Sequence, residues 1–457
     1  MLTLVAREGD RAPGTPDGVV FSNITGHNLN DAGDTAFRGQ VTGGGASSSS
    51  DLGIWSETSG GLALVAREGD PAPGAGPGAE FSNMVNPLFN DVGLVAFRGD
   101  LRGSAVGTND TGIWLGTPGA LSLLARRETQ VSGMAPGVIF SGSEGIGLPV
   151  LNNIGQVAFR ATFDGTGIDE NNNQVVLLAD SGLLSIVARE GEAAPGTGAG
   201  VVFNSFLPDV SLNDAGYAAF AGSLRGPGVD STNQLGMWVG SATGLELVWR
   251  QGDAAPGTQA GVVFDFADIE EPAVSAAGEI TFRATVLDTG PSGSRDAGIW
   301  SGGPGALELV ALERSHAPGT GDGVRFGTFL EPVINGAGQT AFAASVTGSG
   351  INGNNSLGIW ATDPNGTLIL IARTGDVFDV NDDPVLEDLR VISDLSMIPD
   401  SGGEDGRSNP FNDLGQLAFR LRFTDGTEGI FVANVPEPSL VAIVCVMGPL
   451  VACRRRF

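Results

Sequence analysis

Apolar residues fall in short runs of four to eight, separated by Gly, Pro, Asn and Asp, and nowhere hold helical spacing; this predicts strands and turns. Residues 62–115 show the pattern. LALVAREGD (62–70) is apolar on both faces, with Leu62 and Leu64 on one and Ala63 and Val65 on the other, which suits a strand covered on both sides. PAPGAGPG follows, a Pro/Gly loop that excludes a helix. AEFSNMV (79–85) reads as a second strand. NPLFND reads as a turn, with Asn and Asp bonding their own backbone and Gly93 supplying a positive φ. LVAFRGDL (94–101) is a third strand. After the polar loop RGSAVGTND, GIWL (112–115) is a fourth, and GTPGA turns the chain into the next LSLLAR.

The same order recurs along the chain. NDVGLVAFRG, Asn90 to Gly99, has counterparts starting at Asn30, Asn152, Asn213, Ser275, Asn335 and Asn412. Their glycines are Gly33, Gly93, Gly155, Gly216, Gly278, Gly338 and Gly415, at intervals of 60, 62, 61, 62, 60 and 77. Leu-Val-Ala-Arg strands centre on Ala6, Ala66, Ala125, Ala188, Trp249, Ala311 and Ala372. Gly-Ile-Trp strands are expected from Gly53, Gly112, Val176 (degenerate), Gly236, Gly298, Gly358 and Gly429.

Seven units of about 61 residues, each with four antiparallel strands, predict an all-β fold: a seven-bladed β-propeller over residues 1–434. The first unit has a spare LVAREGD strand from residue 4, and the last, ending in GIFVAN at 434, lacks one. The N-terminal strand is therefore expected to close the ring as the outer strand of the last blade, leaving no open edge. A linear array of seven units is the competing arrangement. Ala96 is small and Phe97 large on opposite faces, so neighbouring blades are expected to interlock. The seventh unit is the irregular one: residues 376–410 replace the short loop, and VLEDLRVISDLSMI still holds a strand.

Composition changes this picture in two ways. The 52 acidic and 24 basic residues give a net charge of −28, and every basic residue is Arg. Such a surface repels nucleic acid and anionic lipid and favours loosely held cations. The two cysteines, Cys445 and Cys453, lie in the last apolar run, so the repeats hold no disulfide, Cys-ligated zinc or thiol nucleophile. His27 and His316 are the only histidines, too few for a His-rich metal site.

The C-terminus differs in kind. Val435-Pro436-Glu437-Pro438-Ser439 precedes the apolar run 440–453, and Arg454, Arg455 and Arg456 stand just before the terminal Phe457. Fourteen apolar residues are short for a bilayer span of about 20. Residues 435–457 resemble the bacterial PEP-CTERM sorting signal, which has a Pro-Glu-Pro motif, a hydrophobic helix and a basic tail. The resemblance implies an exosortase-type processing enzyme as partner, export to the envelope, outer surface or medium, and membrane contact only through this segment. An ordinary tail anchor is the alternative. Met1 falls inside a repeat strand with no leader before it, so upstream coding sequence with a signal peptide is expected.

The body resembles uncharacterised surface proteins built of tandem Asn-x-x-Gly-x-x-Ala-Phe repeats. Ser275 departs from that pattern in place of Asn, and Ala221 and Ala343 in place of the trailing Arg. The resemblance implies location and architecture, without an activity. Loops rich in Asp, Asn and Gly (107–112, 164–173, 228–234, 347–355) hold oxygen donors suited to calcium but lack the Asp-x-Asp-x-Asp-Gly spacing, and solvated turns are the simpler reading. Arg-Glu-Gly-Asp at 7–10 and 67–70 reads as a strand-end ion pair and turn. Seven residues before the key glycines, Asp209, Glu271 and Glu331 occupy equivalent positions in three successive units and are the candidate carboxylates for a channel mouth. They suit a cation or an acid/base pair; side chains pointing to water are the alternative. No catalytic triad order or nucleotide motif is present. The expected function is an exported structural or ligand-binding repeat protein with an extracellular polysaccharide or surface glycan as partner. A glycan-acting hydrolase is the competing class.

Overall fold

The computed structural model describes residues 4–30, 32–104, 106–107, 110–142, 145–290, 293–380, 388–397 and 409–435, without the side chains of 266–271. Among the described residues none is helical, and no helix is long and apolar enough to cross a membrane. The strands form seven antiparallel sheets, each following chain order from one edge to the other. The chain divides into two compact units, Met1–Leu247 with Glu404–Ser408, and Val248–Gly403 with Asn409–Phe457.

In the first unit the second sheet is representative. Glu80–Met84 and Leu88–Phe89 pair with Val95–Arg102, which pairs with Thr111–Thr117, which pairs with Ala120–Arg126. NPLFND is thus only partly a turn: Leu88 and Phe89 still pair with Ala96 and Val95, and the chain reverses over Asn90–Gly93. Val95–Arg102 is buried on both faces, for two different reasons. Val95, Phe97 and Leu101 join Phe81 and Trp114, together with Ile54, Val65 and Ala66 of the preceding sheet. Ala96 faces the other way, with Ile113 and Ala125, onto Val157 and Phe159 of the following sheet. The expected interlock of small and large faces is present between these repeats.

Each core is centred on aromatic rings. Phe81 meets Trp114 edge-on at 4.9 Å and Phe97 stacks on Trp114 at 5.9 Å. In the second unit Phe326, Phe342 and Trp360 repeat the geometry at 4.9 and 6.3 Å. Such pairs contribute about 0.5–1.5 kcal/mol each beyond their burial. The glycine of Gly-Ile-Trp exists because the indole folds back over it. A Cβ on Gly53 would stand 2.6 Å from Trp55 Cη2, and on Gly358 2.6 Å from Trp360 Cη2. The third repeat shows the converse and corrects the register by one residue. Leu177 stands opposite Phe159 as Trp114 stands opposite Phe97, so Val175, not Val176, fills the glycine position. With leucine in place of tryptophan, valine fits. Phe163, opposite Phe140, contributes the missing ring at 5.8 Å.

The second unit holds the sheets that begin at Val262, Arg325 and Val377. Its last sheet runs Val377–Asp379, Leu389–Met397, Gln416–Phe423, Glu428–Asn434. The lengthened stretch therefore carries two strands. The extra one enlarges a feature of the other repeats, where the Pro/Gly loop touches the inner strand by one bridge, as at Pro71 and Glu80.

The closing strand is not formed at the N-terminus: residues 4–7 carry no ladder. The segment nevertheless packs on the first sheet. Val5 and Ala6 pack against the cluster of Phe21, Phe37 and Trp55, and the Gly9 N–H donates to the Phe21 carbonyl at 2.8 Å, as Gly69 does to Phe81 at 2.9 Å. At the other terminus Val435 is buried beside Ala433 and Phe411. The helix expected at 440–453 and Pro436, Glu437, Pro438, Arg454, Arg455 and Arg456 lie outside the described residues.

Candidate functional site

The Asn side chain of these turns has two functions, both present at Asn30, Asn90, Asn152 and Asn335. Its Oδ1 accepts the backbone N–H four residues on, closing the turn: Leu94 onto Asn90 at 2.8 Å, Gln156 onto Asn152 at 2.7 Å, Tyr217 onto Asn213 at 2.8 Å. Its Nδ2 donates to the carbonyl of the equivalent Asn one repeat later: Asn30 to Asn90 at 3.2 Å, Asn90 to Asn152 and Asn152 to Asn213 at 2.9 Å. A second rail runs beside it, from the Asp91 N–H to Asn153 Oδ1 at 3.0 Å and from the Asn153 N–H to Asp214 Oδ1 at 2.7 Å. The second unit repeats the scheme, with Asn335 Nδ2 donating to the Asn412 carbonyl at 2.9 Å. Ser275 keeps the first function, its Oγ accepting the Glu279 N–H at 3.1 Å. The backbone link Ala276 N–H to Gly336 carbonyl, at 3.2 Å, still joins it to the next repeat.

The Pro/Gly loops are scaffold too. Trp55, Trp114, Trp238, Trp300 and Trp360 each donate their indole N–H to a loop proline carbonyl of the same repeat, Pro13, Pro73, Pro195, Pro256 and Pro318, at 2.9–3.0 Å. At the Arg-x-Gly-Asp turns only some copies form the expected ion pair, as Arg7 to Asp10 at 2.9 Å and Arg373 to Asp376 at 2.7 Å. Arg67 and Arg189 instead donate to the carbonyls of Ser50 and Asn172 in the polar loops. The Glu position binds the head of the third strand, Glu190 accepting from the Gln174 N–H and Glu313 from the Ala297 N–H. Burial pushes the Glu68 carboxyl up, and a hydrogen bond with Asp51 raises it further. Burial raises Asp70 and Asp253 likewise.

Three of the four polar loops proposed for calcium share one self-contained turn; in the fourth, 107–112, residues 108 and 109 lie outside the described residues. Asn172 Oδ1 accepts from the Asp169 N–H, Asp169 Oδ1 from the Asn171 N–H, and Asn172 Nδ2 donates to the Gly167 carbonyl. Asp230 with Asn233, and Asn352 with Asn355, repeat it. Their oxygens are engaged by their own backbone. Among the described residues no three His, Cys, Asp or Glu side chains gather as a metal site.

The three candidate carboxylates fare separately. Asp209 is half-buried on Val202–Leu212 in the first unit. Glu331, in the second, lies 3.3 Å from the Arg283 guanidinium. Glu271 lies on Val262–Val274, with its side chain outside the described residues.

Residues 1–442 match a family of unknown function, DUF7453. The chain belongs to that family. None of the curated proteins matches this DUF7453 member. Among solved structures it is similar to dipeptidyl peptidase 4 of Porphyromonas gingivalis at 11% identity and a TM-score of 0.43, over 92% of this chain and 52% of the peptidase, so it spans about half that protein's length. The polysaccharide lyase Uly1 matches at 9% identity and 0.38, over 95% and 92% of the two chains. The Dos1 propeller matches at 10% and 0.33, over 91% and 94%. These likenesses are too distant to carry an argument about activity.

Sequence reasoning missed the ladder in this DUF7453 chain. A signal for it was present: an Asn that only closes a turn exchanges freely with Asp or Ser, yet six of the seven turns begin with Asn, as a required N–H donor demands.

Proposed function

We propose that the chain is an exported, envelope- or surface-associated scaffold, structural or ligand-binding, sorted through its C-terminal segment. One observation carries the reading: the polar residues that recur in the repeats are engaged in joining repeat to repeat, through the Asn ladder and its second rail. Residues that hold a frame together in this way are not free for chemistry. The pairing of Glu331 with Arg283 gives that acid a structural partner, which supports the scaffold reading over a glycan hydrolase.

The frame we propose is a seven-bladed propeller closed by the N-terminal strand that starts at residue 4. Supporting it, Ile430 and Val432 are 72% and 59% exposed on Glu428–Asn434, whereas Ile54, Ile113, Ile299 and Ile359, at the place of Ile430, are fully buried under a fourth strand. Leu4 is 66% exposed. In the register of Ile54 opposite Ala66, Ala6 would cover Ile430.

Two experiments test the reading. With Cys445→Ser and Cys453→Ser, the pair Ala6→Cys and Ile430→Cys should cross-link within one chain on mild oxidation; a cross-link only between chains refutes closure. A glycan and metal binding screen should include the Asp209→Asn, Glu271→Gln, Glu331→Gln variant. Turnover of a glycan that this triple variant abolishes would replace the scaffold reading with the hydrolase one.

A further inference from the structure

Asparagine followed by glycine is prone to self-modification, because glycine carries no side chain to shield its N–H from the asparagine amide. The chain has three such bonds, Asn335–Gly336, Asn352–Gly353 and Asn365–Gly366, all in the second unit. The reaction has two requirements. The glycine nitrogen must be free to give up its proton, and the asparagine Cγ must be open to attack. The fold treats the three bonds differently.

Asn335 is 2% exposed and belongs to the ladder. Its Oδ1 accepts the Gln339 N–H, its Nδ2 donates to the Asn412 carbonyl and to Gln339 Oε1, and the Gly336 N–H donates to Asp413 Oδ1. The attacking nitrogen and the leaving nitrogen are therefore both held. At Asn365–Gly366 both residues are exposed, but the Gly366 N–H donates to the Asp363 carbonyl at 2.9 Å.

Asn352–Gly353 has neither restraint. Both residues are exposed. Among the described residues the Gly353 N–H has no acceptor, and a Cβ on Gly353 would meet nothing within 4 Å. The loop also activates the amide. The Asn354 N–H donates to Asn352 Oδ1 at 2.9 Å, where it polarises the carbonyl and stabilises the oxyanion that forms when Cγ is attacked. The bonds from the Asn352 N–H to Asn355 Oδ1, at 2.7 Å, and from Asn355 Nδ2 to the Gly350 carbonyl hold the turn in that form.

We propose that Asn352 is a site of spontaneous deamidation in the folded protein, and that the ladder keeps Asn335 from the same reaction. The Gly353 nitrogen loses its proton to solvent base and bonds to Asn352 Cγ. The Cγ–Nδ2 bond breaks and ammonia leaves, closing a succinimide. Water then opens the ring at either carbonyl, giving aspartate or isoaspartate. The aspartate product has a precedent in the chain. Asp169 and Asp230 take the same place in their loops, and the Oδ1 of each accepts the N–H two residues on, from Asn171 and Thr232, as Asn352 does from Asn354. Isoaspartate has none: it routes the backbone through Cγ, so the acceptor that closes the turn becomes main chain.

The test incubates the full chain in mildly alkaline buffer, native and in urea, and follows the amide-to-acid mass increase of each peptide with time. In the native chain the Asn352 peptide should convert several-fold faster than the Asn365 peptide, with the Asn335 peptide slowest. In urea the three should convert at similar rates, Asn335 gaining most. Gly353→Ala, for which the fold has room, should slow conversion at 352 several-fold. Asn352→Asp should leave the urea midpoint of the whole chain unchanged. Conversion at 352 no faster than at 335 or 365 in the native chain, or undiminished in Gly353→Ala, overturns the site. Equal conversion of Asn335 in the native and unfolded chains overturns its protection by the ladder. A lowered midpoint in Asn352→Asp overturns the equivalence with Asp169 and Asp230.

Discussion

Asn152 offers a quantitative test of the ladder. It is fully buried. Its Oδ1 accepts the Gln156 N–H at 2.7 Å, and its Nδ2 donates to the Asn213 carbonyl and to Gln156 Oε1, both at 2.9 Å. Asn152→Ala strands the Gln156 N–H and takes the donor from Gln156 Oε1, while the Asn213 carbonyl keeps the Gly216 N–H. Each stranded group costs about 1–3 kcal/mol, so the substitution should destabilise by about 2–5 kcal/mol. Asn152→Ser should cost about 1–2 kcal/mol less than Ala, because a serine Oγ reaches the fourth N–H, as Ser275 shows at 3.1 Å. Asn152→Asp keeps the acceptor but sets a carboxylate against the Asn213 carbonyl. It should be the worst of the three at neutral pH and recover as acid protonates it. Urea denaturation followed by tryptophan fluorescence reads the midpoints, with an unchanged slope as the check that one transition is compared throughout. The reasoning fails if Ala costs under about 0.5 kcal/mol, or if Ser is as damaging as Ala.

Three further predictions follow from other positions. Glu128 and Arg314 occupy, at φ of 55° and 62°, the place that Gly69, Gly191, Gly252 and Gly375 fill elsewhere. Glu128→Gly and Arg314→Gly should each stabilise by about 0.5–1 kcal/mol, seen as a raised denaturation midpoint. Gly112→Ala should destabilise by about 1–3 kcal/mol, since its Cβ would stand 2.8 Å from the Ala125 carbonyl and 2.9 Å from Trp114. In a double-mutant cycle, Gly112→Val should cost less once Trp114→Leu is present, the combination that Val175 and Leu177 already embody. Glu68 is raised by burial and by Asp51. The folded state therefore holds its proton more tightly than the unfolded one, and the stability this lends is lost as pH climbs through the raised value. Glu68→Gln should thus raise the melting temperature at pH 7 and bring little advantage at pH 4; an equal gain at both would refute the assignment.

The strands were legible because apolar residues on both faces, punctuated by Pro-Gly and Asn-x-x-Gly, leave few alternatives to short strands in a sheet. Val175 was misplaced by one because Val175-Val176-Leu177 offers no glycine to fix the register, and only the ladder opposite Phe159 does so. The double role of Asn152 was hidden because its second partner is 61 residues away, whereas turn chemistry is read from neighbours. The polar loops looked variable because Asp, Asn and Ser exchange at positions that demand only a side-chain oxygen; Ser50 serves Ser47 as Asn172 serves Asp169. The equivalence of Asp209, Glu271 and Glu331 was legible from their spacing to the glycines, but the partner of Glu331 was not visible. Arg283 reaches it from Ile280–Asp288 of the preceding repeat, while also donating to the Phe329 carbonyl beside it.

The third repeat constrains how such a gene can change by exchange between its own copies. Leu177 has lost the indole, Val175 the glycine, and Ser132 stands where other repeats carry the proline that receives the indole N–H. Gene conversion that copied only the Gly-Ile-Trp strand into this repeat would leave an indole N–H beside a serine loop. A tract covering only the loop would leave a proline carbonyl facing leucine. Only a tract spanning Ser132 to Leu177 transfers a working set. Homogenisation of the repeats should therefore proceed by whole units, and a repeat that has drifted as a set, as this one has, is shielded from piecemeal repair.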